Sequence, residues 1–152
     1  MSIEELFARS GLLVMPFWFL MAFLPHWRWT KRIIGSPLIS LPAALLYAWL
    51  VLPQVGGIWA AVSSPELGPI AALLGSPAGA TIAWAHFLAF DLFVGRWAYL
   101  DSRARGVSAL LMAPVLLLIL MLGPIGFALY LGVRALYALR GREAAVATPA
   151  AL

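Results

Sequence analysis

The chain has 152 residues, of which 64% are hydrophobic and only 11% charged, and it carries a net charge of +4. A soluble domain of this size is about 45–50% apolar and could not bury so much apolar surface, so lipid must surround the chain. The basic residues flank apolar runs, a pattern typical of headgroup contacts, which excludes a nucleic-acid-binding class. With no cysteine, thiolate metal sites and cysteine nucleophiles are excluded as well.

Uncharged runs long enough to cross a bilayer predict four transmembrane helices. A span needs about 20 mainly apolar residues, and Gly, Pro or short charged segments separate these runs. The predicted helices cover residues 6–25, 34–52, 78–99 and 107–138. We therefore expect an all-α polytopic membrane protein, with four transmembrane helices in one bundle within a single domain of residues 1–142. The Ala-rich residues 143–152 are predicted to form a disordered tail.

Glycine and proline residues refine these boundaries. Pro53 predicts that the second helix ends near Leu52, and the segment 54–77 is predicted to be a loop with a short interfacial helix at residues 67–74. In the fourth helix, the segment Gly123-Pro124-Ile125-Gly126 predicts a kink or a break, because proline cannot donate an intrahelical hydrogen bond.

The placement of Lys and Arg predicts an orientation in the membrane. One side would carry Arg28, Lys31, Arg32, Arg96, Arg103 and Arg105. The opposite side would carry Arg9, Arg134, Arg140 and Arg142. Because cytoplasmic loops are enriched in basic residues, six against four favours both chain termini outside the cytoplasm.

Ionisable residues in the third predicted helix are the candidates for chemistry. His86 and Asp91 lie about 140° apart around the helix axis, as do Asp91 and Arg96. An unpaired charge at mid-membrane costs about 2.5–3.5 kcal/mol, so such residues face a partner or a water-filled cavity. Asp91 as general base with His86 as its acid partner is one interpretation. The other is structural: Asp91 bonds a neighbouring helix, Arg96 reaches the headgroups, and His86 donates one hydrogen bond.

Aromatic residues and one proline are the candidates for ligand binding. Trp84, Phe87 and Phe90 could line a groove for a flat, conjugated lipid, whereas most other Trp residues fit an interfacial belt. Pro124 marks either a backbone opening that admits a ligand or a close-packed helix face. Neither histidine has a second metal ligand at helical spacing, so we predict no metal site and no cofactor.

One continuous motif and several single residues after it form a distinctive pattern. The motif is His86-Phe87-Leu88-Ala89-Phe90-Asp91-Leu92-Phe93-Val94-Gly95-Arg96-Trp97, and the single residues are mostly Gly, Pro, Asp or Tyr. They are Asp101, Gly106, Pro114, Gly123-Pro124-x-Gly126 and Tyr130, preceded more loosely by Pro16, Trp18, Pro25 and Trp27. Over about Leu6 to Tyr137, this pattern resembles the abscisic-acid-deficient family of small four-helix membrane proteins of plants, algae and bacteria. The chain departs from the family pattern at Gly11, Val115 and Ile119, where Asn, Cys and Thr are usual.

The resemblance implies carotenoid metabolism, since plant members of that family are needed for neoxanthin formation. Neoxanthin arises from violaxanthin by epoxide opening and proton loss, without net redox change. By this resemblance the chain is a neoxanthin-synthase-like isomerase or a carotenoid binder, with Asp91 and His86 or Arg96 as acid and base. The bound molecule would be a carotenoid or another lipid. A composition rich in Ala, Gly, Pro and Arg favours a bacterial inner membrane.

A different function class stays open beside this one. The small size and short loops equally fit a non-catalytic small subunit or assembly factor of a photosynthetic or respiratory membrane complex. The expected partners are therefore membrane lipid and a carotenoid-like small molecule, with a homo-oligomer or a larger membrane complex as the protein assembly.

Overall fold

The structure, a computed structural model, describes residues 2–147, and side chains from residue 2 to residue 140. The helices are α1 (Ile3–Ser10), α2 (Met15–Phe23), α3 (Arg28–Gly35), α4 (Leu41–Val51), α5 (Val55–Ser63), α6 (Leu67–Leu74), α7 (Pro77–Ala104) and α8 (Ala109–Ala147), and the described range holds no strand. The stretches long and apolar enough to cross a membrane are Ile3–Phe23, Pro37–Ser63, Pro77–Ala104 and Ala109–Arg140. The predicted class, an all-α polytopic membrane protein with four such helices, is confirmed.

Some helix boundaries differ from the predicted ones. The second stretch does not stop near Leu52, because Leu52–Gln54 tightens into a 3₁₀ turn around Pro53 and α5 continues to Ser63. In hydrocarbon no water can satisfy open backbone groups, so a helix persists through residues that would end it in water. The helix α6 occupies the residues predicted for an interfacial helix.

The basic segment after the first span and the end of the chain also differ from expectation. Residues Arg28–Gly35 form the amphipathic helix α3, with Thr30 and Ile34 buried. At the other end, α8 continues to Ala147 and so includes the first residues of the predicted tail 143–152. Residues 148–152 lie outside the described residues.

The chain forms two compact units. The first unit contains Met1–Phe17 and Ser36–Phe93, and the second contains Trp18–Gly35 and Val94–Leu152. In the first unit, Leu50, Ile82 and Ala85 form a buried cluster against which residues of α1, α4 and α5 pack. The helices of this unit therefore pack side by side.

In the second unit, α2 and α7 meet at a residue without a side chain. Trp18 is 2% exposed, and a Cβ at Gly95 would overlap its indole ring. Glycine at this position therefore lets the two helices approach closely. The Tyr99 hydroxyl, also on α7, donates to the Pro25 carbonyl over 2.8 Å.

The last helix, α8, is sharply bent at the predicted position. Leu122 (φ −134°, ψ 33°) and Gly123 (φ 9°, ψ −81°) depart from helical geometry, which divides α8 into a first arm, residues 109–121, and a second arm, residues 124–147. A Cβ at Gly126 would overlap backbone atoms of Ile119, seven residues earlier. In a straight helix seven residues span about 10 Å, so the second arm folds back on the first.

The Asp101 carboxylate anchors the folded-back arm. Its Oδ2 accepts hydrogen bonds from Arg105 Nε (2.7 Å), Arg134 Nε (3.0 Å) and the Tyr130 hydroxyl. The bond from Asp101 raises the pKa of Arg105 above its ordinary value. The Trp97 ring contacts Tyr130 edge-to-face, with ring centroids 5.5 Å apart. The guanidinium carbon of Arg134 lies over the Trp97 ring, 5.9 Å from its centroid. Arg105 and Arg134 thus meet at one carboxylate, although a straight α8 would separate them by about 40 Å.

This geometry corrects one part of the predicted orientation, the side on which Arg134 lies. The expectation that Arg134 lies across the membrane from Arg105 is wrong, because both bond Asp101. Eight of the nine basic side chains that the structure describes belong to the second unit, and only Arg9 belongs to the first. By the positive-inside rule, the Asp101 end of α7 is still expected on the cytoplasmic side.

The bend in α8 predicts the membrane side of two introduced cysteines. In a chain without native cysteine, Ser108→Cys and Ala138→Cys should both react with a membrane-impermeant maleimide added from the same side. A straight α8 would place the two positions on opposite sides. Labelling after detergent permeabilisation controls for accessibility, and reaction of the two cysteines from opposite sides would contradict the bend.

Two glycines of the second arm provide a matched test of the close approach. Gly126→Ala should destabilise the protein by about 1–3 kcal/mol, because the added methyl group would overlap backbone that cannot move aside freely. Gly132→Ala is the control, since nothing lies within 4 Å of its added Cβ. Thermal unfolding in detergent measures both, and equal midpoints for the two variants would refute the folded-back arm.

Asp101→Asn should destabilise the second unit through its hydrogen bonds. The carboxylate side chain is 19% exposed and accepts from two guanidinium groups, and bonds to charged groups contribute about 1.5–3 kcal/mol each. We expect a loss of about 2 kcal/mol or more in chemical unfolding. Tyr130→Phe keeps the ring against Trp97 and removes one hydrogen-bond donor, so it should lower the free energy of unfolding by less than Asp101→Asn does. A larger loss in Tyr130→Phe than in Asp101→Asn would argue against this anchor.

Candidate functional site

The first unit contains an apolar cavity of about 300 Å³. Side chains from α4, α5, α6 and α7 line it, so four elements of this unit contribute to its wall. The residues that matter most for its chemistry are Tyr47, Ile58, Leu73, Ala83, His86 and Phe87. Most of this wall is aliphatic or aromatic, and the imidazole and the phenol are its polar side-chain groups.

The turn between α6 and α7 shapes one side of this cavity. The Ser76 hydroxyl donates to the Leu73 carbonyl (2.8 Å) and accepts from the Gly79 amide (3.0 Å), so it caps the start of α7. A Cβ at Gly79 would overlap the Leu73 carbonyl, and only glycine allows this approach. The turn therefore holds Leu73 beside the first residues of α7.

Residues of one α7 face form the opposite wall. Ala83, His86 and Phe87 are spaced by three and four residues, which places them side by side on a helix. The His86 ring stacks on Phe90 with centroids 4.7 Å apart and planes 11° apart. Tyr47 meets the same ring edge-to-face at 5.5 Å. The contacts that the structure describes for His86 are thus with aromatic rings.

The structure brings together three of the predicted ligand and chemistry residues. His86 and Phe87 line the cavity, and Phe90 stacks on His86. Trp84 lies two residues before His86, about 200° around the helix, and packs against Phe7 at 5.4 Å instead. The aromatic part of the predicted site is therefore divided between two faces of α7.

The other predicted site residues lie apart from this cavity. Asp91 is half-buried on α7 and does not line it. Arg96 belongs to the second unit, where its Nε donates to the Ile34 carbonyl over 2.8 Å and its Nη2 to the Gly35 carbonyl. It thereby caps the carboxyl end of α3, whose last carbonyls lack helical donors. Pro124 lies at the bend of α8. Catalytic roles for Asp91 and Arg96 and ligand binding at Pro124 stay predictions.

Sequence reasoning missed the contributions of α4, α5 and α6 to the cavity. Tyr47 was not singled out, although it places a hydroxyl group in an otherwise uncharged run. Ile58 falls in the segment predicted to be a loop, so no helical face could be assigned to it. Leu73 was assigned to an interfacial helix, with no signal that this helix turns back onto α7.

Comparisons with known proteins place the chain in a family. No curated protein and no solved structure matches it. The family model described as ABA DEFICIENT 4-like matches residues 5–130, which are 126 of the 152 residues. The matched range contains the His86 cavity and both Asp101 and Tyr130. The chain therefore belongs to the ABA DEFICIENT 4-like family, which relates this membrane protein to carotenoid and isoprenoid metabolism in general.

Proposed function

We propose that this protein binds a carotenoid-like isoprenoid in a bacterial inner membrane and holds one end group of that ligand in the His86 cavity. The observation that carries this proposal is the apolar cavity of about 300 Å³ with an imidazole and a phenol in its wall. Ligand sites combine apolar and aromatic walls with a few polar groups, and volumes of about 300–1,000 Å³ are usual. At the lower end of that range, this cavity suits one ring of the ligand rather than a long polyene chain.

The wall of the cavity suits an oxygenated and conjugated end group. Phe87 and the ring pair of His86 with Phe90 offer flat faces for the conjugated part. The imidazole nitrogens and the Tyr47 hydroxyl can hydrogen-bond a hydroxyl or epoxide oxygen of the ligand. Membership in the family supports a carotenoid-like identity for that ligand.

His86 is our candidate for a redox-neutral isomerisation of the bound ligand. Its imidazolium would donate a proton to the epoxide oxygen as the carbon–oxygen bond breaks. The neutral imidazole would then accept the proton that a neighbouring carbon loses as the new double bond forms. One group thus serves both transfers in turn, and no oxidant or reductant is required. Asp91 does not line the cavity and takes no part in the proposed proton transfers.

Filling the cavity tests the binding proposal. In a carotenoid-producing host, Ala83→Trp should remove the pigment that co-purifies with the wild-type protein in mild detergent, because the indole would occupy the cavity. Leu110→Trp is the matched control, since this side chain is 88% exposed in the second unit. Absorbance and mass spectrometry measure the pigment. Equal pigment in both variants would contradict the proposed site.

His86→Phe separates binding from chemistry. The variant keeps an aromatic ring against Phe90, so pigment should still co-purify, whereas conversion of the ligand should fall by about 10²-fold or more. Chromatography of extracted pigments measures the conversion. Unchanged conversion would exclude His86 from the reaction. A protein that carries no pigment but purifies with a stoichiometric protein partner would instead support the subunit or assembly-factor function.

A further inference from the structure

The second unit contains a different cavity, of about 440 Å³, with a basic wall. It lies between the link that joins α2 to α3, the first turn of α3 and the last turns of α7. The residues that give it its character are His26, Trp27, Arg28, Lys31, Tyr99 and Arg103. Three cations from two helices therefore surround one space.

Hydrogen bonds hold the link that forms one wall of this cavity. The Thr30 hydroxyl donates to the Leu24 carbonyl (2.7 Å), and the Tyr99 hydroxyl donates to the Pro25 carbonyl (2.8 Å). Arg103 Nη2 lies 3.1 Å from His26 Nδ1, so the guanidinium donates to the imidazole. One hydrogen bond from α3 and others from α7 thus fix the link on both sides, and the cavity is a preformed feature of this unit.

The cations around the cavity lack a carboxylate partner in the described part of the chain. Both ion pairs found among residues 2–140 use Asp101, whose partners are Arg105 and Arg134. Like charges around one space repel each other, and an anion between them removes that repulsion. The amino end of α3, which begins at Arg28, adds the partial positive charge of its free amide groups.

The surroundings of the cavity indicate the headgroup layer of a membrane. Trp27 and Trp29 are 48% and 41% exposed beside the basic side chains, as in an interfacial aromatic belt. The basic excess of the second unit assigns this end of α7 to the cytoplasmic side, where anionic lipids bind basic cavities between helices. We infer that this cavity binds the phosphate group of an anionic phospholipid through Arg28, Lys31 and Arg103. The inference does not depend on the proposed carotenoid site.

Native mass spectrometry of the detergent-purified protein tests this inference. Phosphatidylglycerol should bind at least about tenfold more tightly than phosphatidylcholine with the same acyl chains. Lys31→Gln changes an exposed side chain and should remove most of that preference. Arg140→Gln is the matched control, because Arg140 is an exposed cation that stacks on Tyr137 and does not line the cavity. Circular dichroism verifies that both variants keep their helix content.

The double variant Lys31→Gln with Arg103→Gln should bind the two lipids equally. Inorganic phosphate in millimolar excess distinguishes the sources of the anion. If the lipid is the ligand, phosphate weakens phosphatidylglycerol binding only partly, because the acyl chains also contribute to affinity. Phosphate binding without any preference between the two lipids would overturn the lipid assignment. Equal phosphatidylglycerol affinity in wild type and Lys31→Gln would overturn the site itself.

Discussion

A single carboxylate oxygen fixes the position of the second arm of α8 in the second unit. Asp101 Oδ2 accepts hydrogen bonds from side chains 4, 29 and 33 residues further along the chain, and the last two lie on the returning arm of α8. At the membrane boundary an unpaired carboxylate or guanidinium is costly, so the carboxylate and the two guanidinium groups stabilise one another's position. The Trp97 ring supports the same arrangement from below Arg134. The side chains described in this unit include no other carboxylate that could offset the charge of the two adjacent arginines.

The two units differ in chemistry as well as in composition. The first carries most of the described acidic side chains, one arginine and a cavity with an apolar wall. The second carries the other described basic side chains, whose partners include a carboxylate at Asp101, backbone carbonyls at the end of α3, the His26 imidazole, and aromatic rings such as Trp29. An apolar cavity and a cavity with a basic wall thus belong to separate parts of one short chain.

Some features of this protein could be predicted from its sequence, and the reasons are physical. The apolar runs predicted the four stretches that are long and apolar enough to cross a membrane, because hydrocarbon permits only backbone that satisfies its own hydrogen bonds. The Gly123-Pro124 pair predicted the break in α8, because proline lacks a donor. Each of these features depends on residues that are close together in the sequence, so a local sequence pattern can predict it.

Other features depend on contacts between distant residues. A proline predicts a bend without giving its angle, and the angle decides that Arg134 meets Asp101. The sequence placed Arg96 in the third helix, but only the tertiary fold brings it to the end of α3, where it caps that helix. Tyr47 and Leu73 gave no signal for the cavity, because only the tertiary fold brings α4 and α6 beside α7.

The bend in α8 also bears on how the chain is inserted during synthesis. The first arm has 13 residues and is about 20 Å long, which is less than the roughly 30 Å of hydrocarbon in a bilayer. A segment that enters and leaves on the same side passes into the lipid as a loop. The arginines that follow it need never be translocated, so the energetic barrier of moving them through hydrocarbon does not arise. Because α7 precedes α8 in the chain, Asp101 can already be in place when the returning arm forms its hydrogen bonds to it.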